Sequence, residues 1–232
     1  MSEFSGFPKS AFKFFTDLKQ NNDRDWFSAN KSVYVESVIE PAKLFIQALG
    51  ERLTGIHPHI HYDTATNGSG SMFRIYRDVR FGKDKSPYKT HLGMVFWLDG
   101  NRKKTESPGY YFGMSDGPPQ IHGGHYQFGK EHLKAYREYV SDPARGDELR
   151  EILARIEEEG FETGVQHYKQ VPRGYAKDHA NADLLRYNGV VATSKKIPVK
   201  VARSAQLVET CFDRCLTMAP LLFWLRDMEA EQ

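Results

Sequence analysis

Six cations fall within residues 71–90: Arg74, Arg77, Arg80, Lys83, Lys85 and Lys89, against only Asp78 and Asp84. The segment carries a net +4 while the whole chain of 232 residues carries +2, so the rest sums to −2. A guanidinium offers a flat fork that fits phosphate or carboxylate oxygens, and a lysine adds a mobile point charge. The chemistry this suits is recognition of an anion. A run of charge is also what a solvated face looks like, and geometry narrows the choice. On one straight strand Arg74 and Arg80 would lie about 20 Å apart at about 3.3 Å per residue, too far to grip one phosphate. Phe73, Ile75, Val79 and Phe81 alternate through the same stretch, and a regular strand would carry Arg77 into the core with them. An unpaired buried guanidinium is costly. The strand therefore ends near Arg77, or Arg77 meets an acid. If the chain turns after Asp78, then Arg80, Lys83 and Lys85 fold back over a sheet edge. Asp78 would orient the guanidinium groups and Tyr88 would complete the site. The competing reading is a salt-bridge knot of Arg77, Asp78 and Asp84 that only ties down the loop.

A second basic group comprises Lys169, Arg173, His179 and Arg186, interleaved with Tyr168, Tyr175 and Tyr187. Alone it reads as loop scaffolding. Joined to the first, it would complete a basic pocket with His179 as the acid–base group. His57, His59 and His61 alternate, so a strand would place them on one face, where neutral imidazoles could bind a divalent metal. His61 and Asp63 also fit the local half of a two-histidine, one-carboxylate iron site, with His122, His125, His167 or His179 as the distal ligand. With 9 histidines and 30 acids in the chain, about one His-x-acid spacing arises by chance, and one is present. Gly124–Lys130 matches the first seven positions of a phosphate-binding loop. Glu131 stands where Ser or Thr should hold magnesium, and a carboxylate there repels phosphates. No cofactor and no metal ligand set follow from these residues.

The elements that hold these groups belong to an ordinary globular composition, 40% hydrophobic and 27% charged. The near balance of 32 basic and 30 acidic side chains argues against a protein that coats nucleic acid non-specifically. Pro8 suits a first helical turn, and Phe12, Phe15 and Leu18 recur at helical spacing. Asn21 and Asn22 break this helix. Asn22 is placed to cap a second, carrying Trp26, Phe27, Val33, Tyr34 and Val38, and Arg24 either packs there or faces the basic cleft. Pro41 should kink or restart the helix before Ala42–Leu53. Strands are expected at Met72–Arg77, His91–Leu98 and Pro108–Met114, with a hairpin turn at Asp99-Gly100-Asn101. Helices return at Glu131–Val140, Asp147–Glu159, Ala202–Met218 and Leu221–Glu229, the last two parted by Pro220. Sequential strands without intervening helices predict an α+β fold with a mainly antiparallel central sheet and N- and C-terminal helices packed on it. One domain is expected over 1–232, helical to 55, sheet-rich over 56–128, then helical with a short β or loop region. Cys211 and Cys215, four apart, read as buried thiols in a reducing compartment. The N-terminal residues show no apolar leader, and the apolar run Leu221–Leu225 is too short to span a bilayer. A cytoplasmic protein without membrane partners is expected.

Arg74-x-x-Arg77-Asp78-x-Arg80-Phe81, then Asp84-Lys85-x-x-Tyr88, resembles the signature of a bacterial family with fungal and plant relatives, domain of unknown function 2461. The likeness extends to Gly6-Phe7-Pro8, Asn21-Asn22, Arg24 and Trp26-Phe27. Later in the chain it includes Pro172-Arg173-Gly174-Tyr175, His179 and Leu184-Leu185-Arg186. It implies membership and no reaction, so it supplies no catalytic residue. The residues themselves point to a basic pocket for a phosphorylated or carboxylated small molecule, in a binder or an enzyme. The alternatives are a module that binds nucleic acid or an acidic protein, and a metal-dependent enzyme built on His57, His59 and His61.

Overall fold

Helix α1, Lys9–Gln20, follows Pro8 and buries the stripe Ala11, Phe12, Phe14, Phe15 and Leu18. This computed structural model describes residues 3–164 and 167–231. The second helix, α2 (Arg24–Ala29), is capped one residue later than expected: the Asp23 carboxylate accepts the Trp26 N–H at 2.8 Å. Helix α3 (Lys31–Tyr34) runs into a π turn, Val35–Ile39, and then α4, Glu40–Leu53. Pro41 explains the widened turn. It has no N–H, and its ring would strike the carbonyl four residues back in a regular helix.

Strands β1 (Leu92–Trp97), β2 (Gly109–Met114) and β3 (Gln120–His125) come next. Helices α5 (Lys130–Val140) and α6 (Pro143–Glu158) follow them. The short strands β4 (Glu162–Thr163) and β5 (Val190–Thr193) precede α7 (Val199–Ala202) and α8 (Gln206–Ala230). The five strands form one antiparallel sheet in the order β1-β2-β3-β5-β4, with N- and C-terminal helices against it. The fold is α+β, as the order of strands and helices predicted.

Four local expectations need correction. Residues 72–77 form no strand and keep only the isolated bridges Met72 to Met94 and Tyr76 to Tyr88. Pro87 returns opposite Arg77 and has no N–H to extend a ladder. Consequently Phe81 is not core but 92% exposed. The segment 57–61 is a turn closed by the Ile60 N–H on the His57 carbonyl at 2.9 Å. His57 is therefore buried while His59 and His61 are exposed, and the three share no face. Pro220 does not end a helix but lies inside α8. Leu216, whose carbonyl loses its donor, is on the exposed side, where water can replace that bond. Helix α6 starts at Pro143 because Asp142 accepts the Arg145 N–H at 3.0 Å.

The chain forms two compact units, one of residues up to 96, 111–121 and 196–213, the other of 97–110, 122–195 and 214 onward. In the first, Phe112 of β2 packs 4.8 Å from Phe45 of α4 and 6.3 Å from Phe7, ring to ring. In the second, the Tyr110 hydroxyl on β2 donates to the Cys215 carbonyl of α8 at 3.1 Å. Gly123 of β3 fits tightly there, since a Cβ would sit 3.1 Å from the side chains of Met218 and Tyr110, which would have to yield. The buried positions Leu207, Cys211, Cys215, Met218, Leu222 and Leu225 recur at helical spacing along α8, and both thiols lie on this stripe. No helix among the described residues is long and apolar enough to cross a membrane.

Candidate anion site at the base of an arm

Residues 75–89 fold back on themselves as an arm in the first unit. Its two sides are joined by the Arg77 N–H on the Pro87 carbonyl at 2.9 Å and the Lys89 N–H on the Ile75 carbonyl at 2.7 Å. Asn22 anchors it to the end of α1. Its amide donates to the Tyr88 carbonyl and accepts the Tyr88 N–H, each at 3.0 Å, as a neighbouring strand would. The Tyr88 ring stacks on Phe27 of α2 with centroids 4.1 Å apart. Tyr88 is thus first an anchor, and its burial raises its phenol.

The chain turns beyond Asp78, and the two acids of the arm are both engaged. Asp84 accepts the Ser86 N–H at 2.9 Å and the Ser86 hydroxyl at 2.6 Å, and pairs with Arg77. Asp78 takes the Arg80 guanidinium through two bonds, at 3.0 and 2.7 Å. Of the knot of Arg77, Asp78 and Asp84 anticipated as a competing reading, Arg77 and Asp84 are paired, whereas Asp78 pairs with Arg80 instead. Arg80 itself points outward, with its side chain 75% exposed. Lys83 and Lys85 are exposed, and Lys85 donates to the Val79 carbonyl at 2.8 Å. Arg74 is exposed and lies over Gly68, where a Cβ would come within 2.8 Å of its side chain.

Hydrogen bonds from Ser86, then the Arg77 pairing, hold the Asp84 carboxyl well below the usual carboxylate range. The bonds from Arg80 bring Asp78 down to about 2. Depressed carboxyls favour the folded arm above the unfolded value of about 3.9, and that contribution fades as pH falls through the folded value. The Ser86 and Arg80 amide resonances should therefore hold their positions from pH 7 to about 4 and move only at more acid pH.

Beneath the arm lies a hollow of about 420 Å³, lined by Lys19, Asn22, Arg77, Asp84, Ser86, Tyr88, Lys89, Thr90 and His91. That volume suits a small metabolite. Lys19 pairs with Asp116 at 2.6 Å, and Arg77 with Asp84. Lys89 differs: its ammonium donates to the Arg74 carbonyl at 2.9 Å and has no carboxylate partner among the described residues. Burial, then the charge of Arg74, lowers the proton affinity of Lys89. Burial, then Lys89, likewise lowers the proton affinity of His91.

The first basic cluster therefore divides. Arg77 and Tyr88 line the hollow, whereas Arg74, Asp78, Arg80, Lys83 and Lys85 do not. Lys89 was visible as local charge. Lys19 and His91 carried no sequence signal, and Asn22 read only as a cap. The second cluster belongs to the other unit. There Lys169 and Arg173 are exposed, and the His179 Nδ1 accepts the Asn181 N–H at 2.9 Å, closing a turn. The Arg186 carbonyl accepts the N–H groups of His167 and Tyr168, at 3.1 and 2.9 Å. Among the described residues no three His, Cys, Asp or Glu side chains are grouped to hold a metal ion. In the loop-like motif 124–130, Gly124 and His125 belong to β3, and Lys130 is the first residue of α5.

No curated protein matches the chain. A family model described as a conserved hypothetical protein, DUF2461, matches residues 10–224. That span holds all but the first residue of α1, the arm and its anchor Asn22, the sheet and most of α8, and the chain belongs to the DUF2461 family.

Proposed function

We propose that the protein binds a small phosphorylated or carboxylated molecule in the hollow at the base of the arm. The observation that carries this is Lys89, a partly desolvated ammonium on the hollow's wall with no carboxylate beside it. A bound anion would supply the missing counter-ion. Arg77 and Lys19 would add charge by sharing their carboxylates, and Ser86 and Asn22 offer neutral hydrogen bonds. Each charge-assisted bond contributes about 1.5–3 kcal/mol.

Pyrophosphate and citrate, titrated calorimetrically at low ionic strength, test the site. Lys89→Met should weaken binding at least about tenfold, the equivalent of about 1.4 kcal/mol. Arg80→Met and Lys83→Met should leave it within about twofold. Equal binding by Lys89→Met, or loss in Arg80→Met, would show that the hollow is not the site.

A second reading rests on Phe81, 92% exposed at the tip of the arm, with the Arg80 guanidinium 5.6 Å from its ring and the exposed Lys83 and Lys85 close by in sequence. A bare ring flanked by cations suits stacking on a base beside a phosphate backbone. It requires a retarded single-stranded oligonucleotide at about 50 mM salt, with retardation abolished in Phe81→Ala.

A further inference from the structure

In the second unit, residues far apart in sequence bring five ionisable groups together. Asp99 and Arg102 come from the β1–β2 loop, His125 ends β3, His132 is in the first turn of α5, and Glu229 is in the last turn of α8. The Glu229 side chain is 11% exposed and that of His132 16%. Glu229 Oε1 lies 3.5 Å from Arg102 Nη1 and 3.6 Å from His132 Nε2, and it accepts no hydrogen bond. Arg102 also reaches Asp99 through Nε at 3.2 Å and touches the His132 ring. That ring lies 5.3 Å from the ring of His125, which is 2% exposed.

We propose that Glu229 and Arg102 form a proton-controlled latch. While Glu229 carries a proton, Asp99 is the carboxylate that holds Arg102, beside its contact with the His132 ring. Once Glu229 ionises, Arg102 is shared between the two carboxylates and ties the β1–β2 loop to the end of α8.

Three features make Glu229 the group that titrates. It sits at a helix C-terminus, where exposed carbonyls disfavour negative charge. Burial, opposed by Arg102 and reinforced by Asp99, pushes its carboxyl up to about 7. Both histidine neighbours are pushed toward the neutral form. Burial lowers His132, with Arg102 adding to the effect and Glu106 opposing it. Burial, then His132 and Arg102, brings His125 down to about 4 against the nearby Gln127 backbone. Arg102 is therefore the cation that faces Glu229 near neutrality. The loop is already closed locally, by the Asn101 N–H on the Asp99 carboxylate at 2.8 Å and the Asp99 N–H on Ser107 Oγ at 3.0 Å. A change of partner by Arg102 thus acts on an ordered segment.

A raised carboxyl stabilises the fold below its unfolded value of about 4.3, and that contribution is lost as pH climbs to about 7. The lowered histidines act oppositely, losing stabilisation as pH falls below about 6.5. A bulk stability curve mixes the two, so the test must resolve the site. In the full chain, the Glu229 carboxyl carbon and the Arg102 Nε are followed by NMR from pH 4 to 9, with both assigned through their backbones. Glu229 should titrate near 7, and Arg102 Nε should move with the same midpoint. In Glu229→Gln the Arg102 transition should vanish. Asp99→Asn should lower the Glu229 midpoint, since it removes a like charge and releases Arg102. A wild-type Glu229 midpoint below 5, or an Arg102 signal that ignores the Glu229 transition, would overturn the latch, and both readings need only the wild-type protein.

Discussion

Asn181→Ala is expected to destabilise the second unit by about 3–5 kcal/mol, from two or more broken buried bonds and a small cavity. Asn181 is fully buried, and its amide does three jobs. It donates to the Val140 carbonyl at 2.8 Å and the Asp142 carbonyl at 3.1 Å, so it holds the junction of α5 and α6. It also accepts Arg150 Nη1 at 2.7 Å, while the same guanidinium pairs with Asp183 at 2.7 Å. Truncation would leave the Val140 carbonyl without its donor, the Asp142 carbonyl with only the Gly146 N–H, and Arg150 Nη1 with only Asp147, in a site too tight for ready rehydration. The tightness is visible at Gly146, where a Cβ would lie 2.1 Å from the Asn181 amide. Gly146→Ala should therefore mimic the loss by displacing the amide. Urea unfolding measures both. A cost below about 1 kcal/mol for Asn181→Ala would mean that the junction is held by something else.

Asn22→Ala is expected to cost about 2–3 kcal/mol, at about 1 kcal/mol or more for each lost bond to a buried backbone group. Its effect should be local. The Tyr88 N–H and carbonyl lose their partner, while the stack of Tyr88 on Phe27 remains. Hydrogen exchange of the Tyr88 amide should accelerate at least about tenfold, with amides of α4 slowed or hastened only by the shared change in global stability. Anion affinity should fall too, since the hollow's wall from Ser86 to His91 continues directly from Tyr88. Unchanged exchange at Tyr88 would show that the ring, and not the amide, fixes the arm.

What could be read from residues alone follows from where the determining forces act. The stripes of α1 and α8 are periodic, so burial wrote them plainly into the order of residues. Pro41 announced a disturbance of the helix because its clash is local, though not that it takes the form of a π turn. Pro220 misled for the complementary reason: whether a proline ends a helix depends on whether the orphaned carbonyl can meet water, which is a tertiary fact. Strand β3 was missed because Gly123 and Gly124 are poor strand formers, and the packing of Gly123 on Met218 and Tyr110 becomes visible only in the fold. The cations of the arm were legible as charge, yet their division between knot and hollow was not. Asp84 bonds Ser86 and Arg77 within the arm, but Asn22 reaches Tyr88 across 66 residues. Glu229 has no unusual neighbour in sequence, and its proton affinity arises from burial beside two other segments.

The hollow can be interrogated directly with uniformly ¹⁵N-labelled protein at low salt and increasing pyrophosphate. The anion reading predicts saturable shifts at the amides of Ser86, Lys89, Thr90 and His91 and at the Asn22 side-chain amide, with amides 80–83 at the tip left unmoved. Shifts confined to that outer tip, or none that saturate, would contradict it.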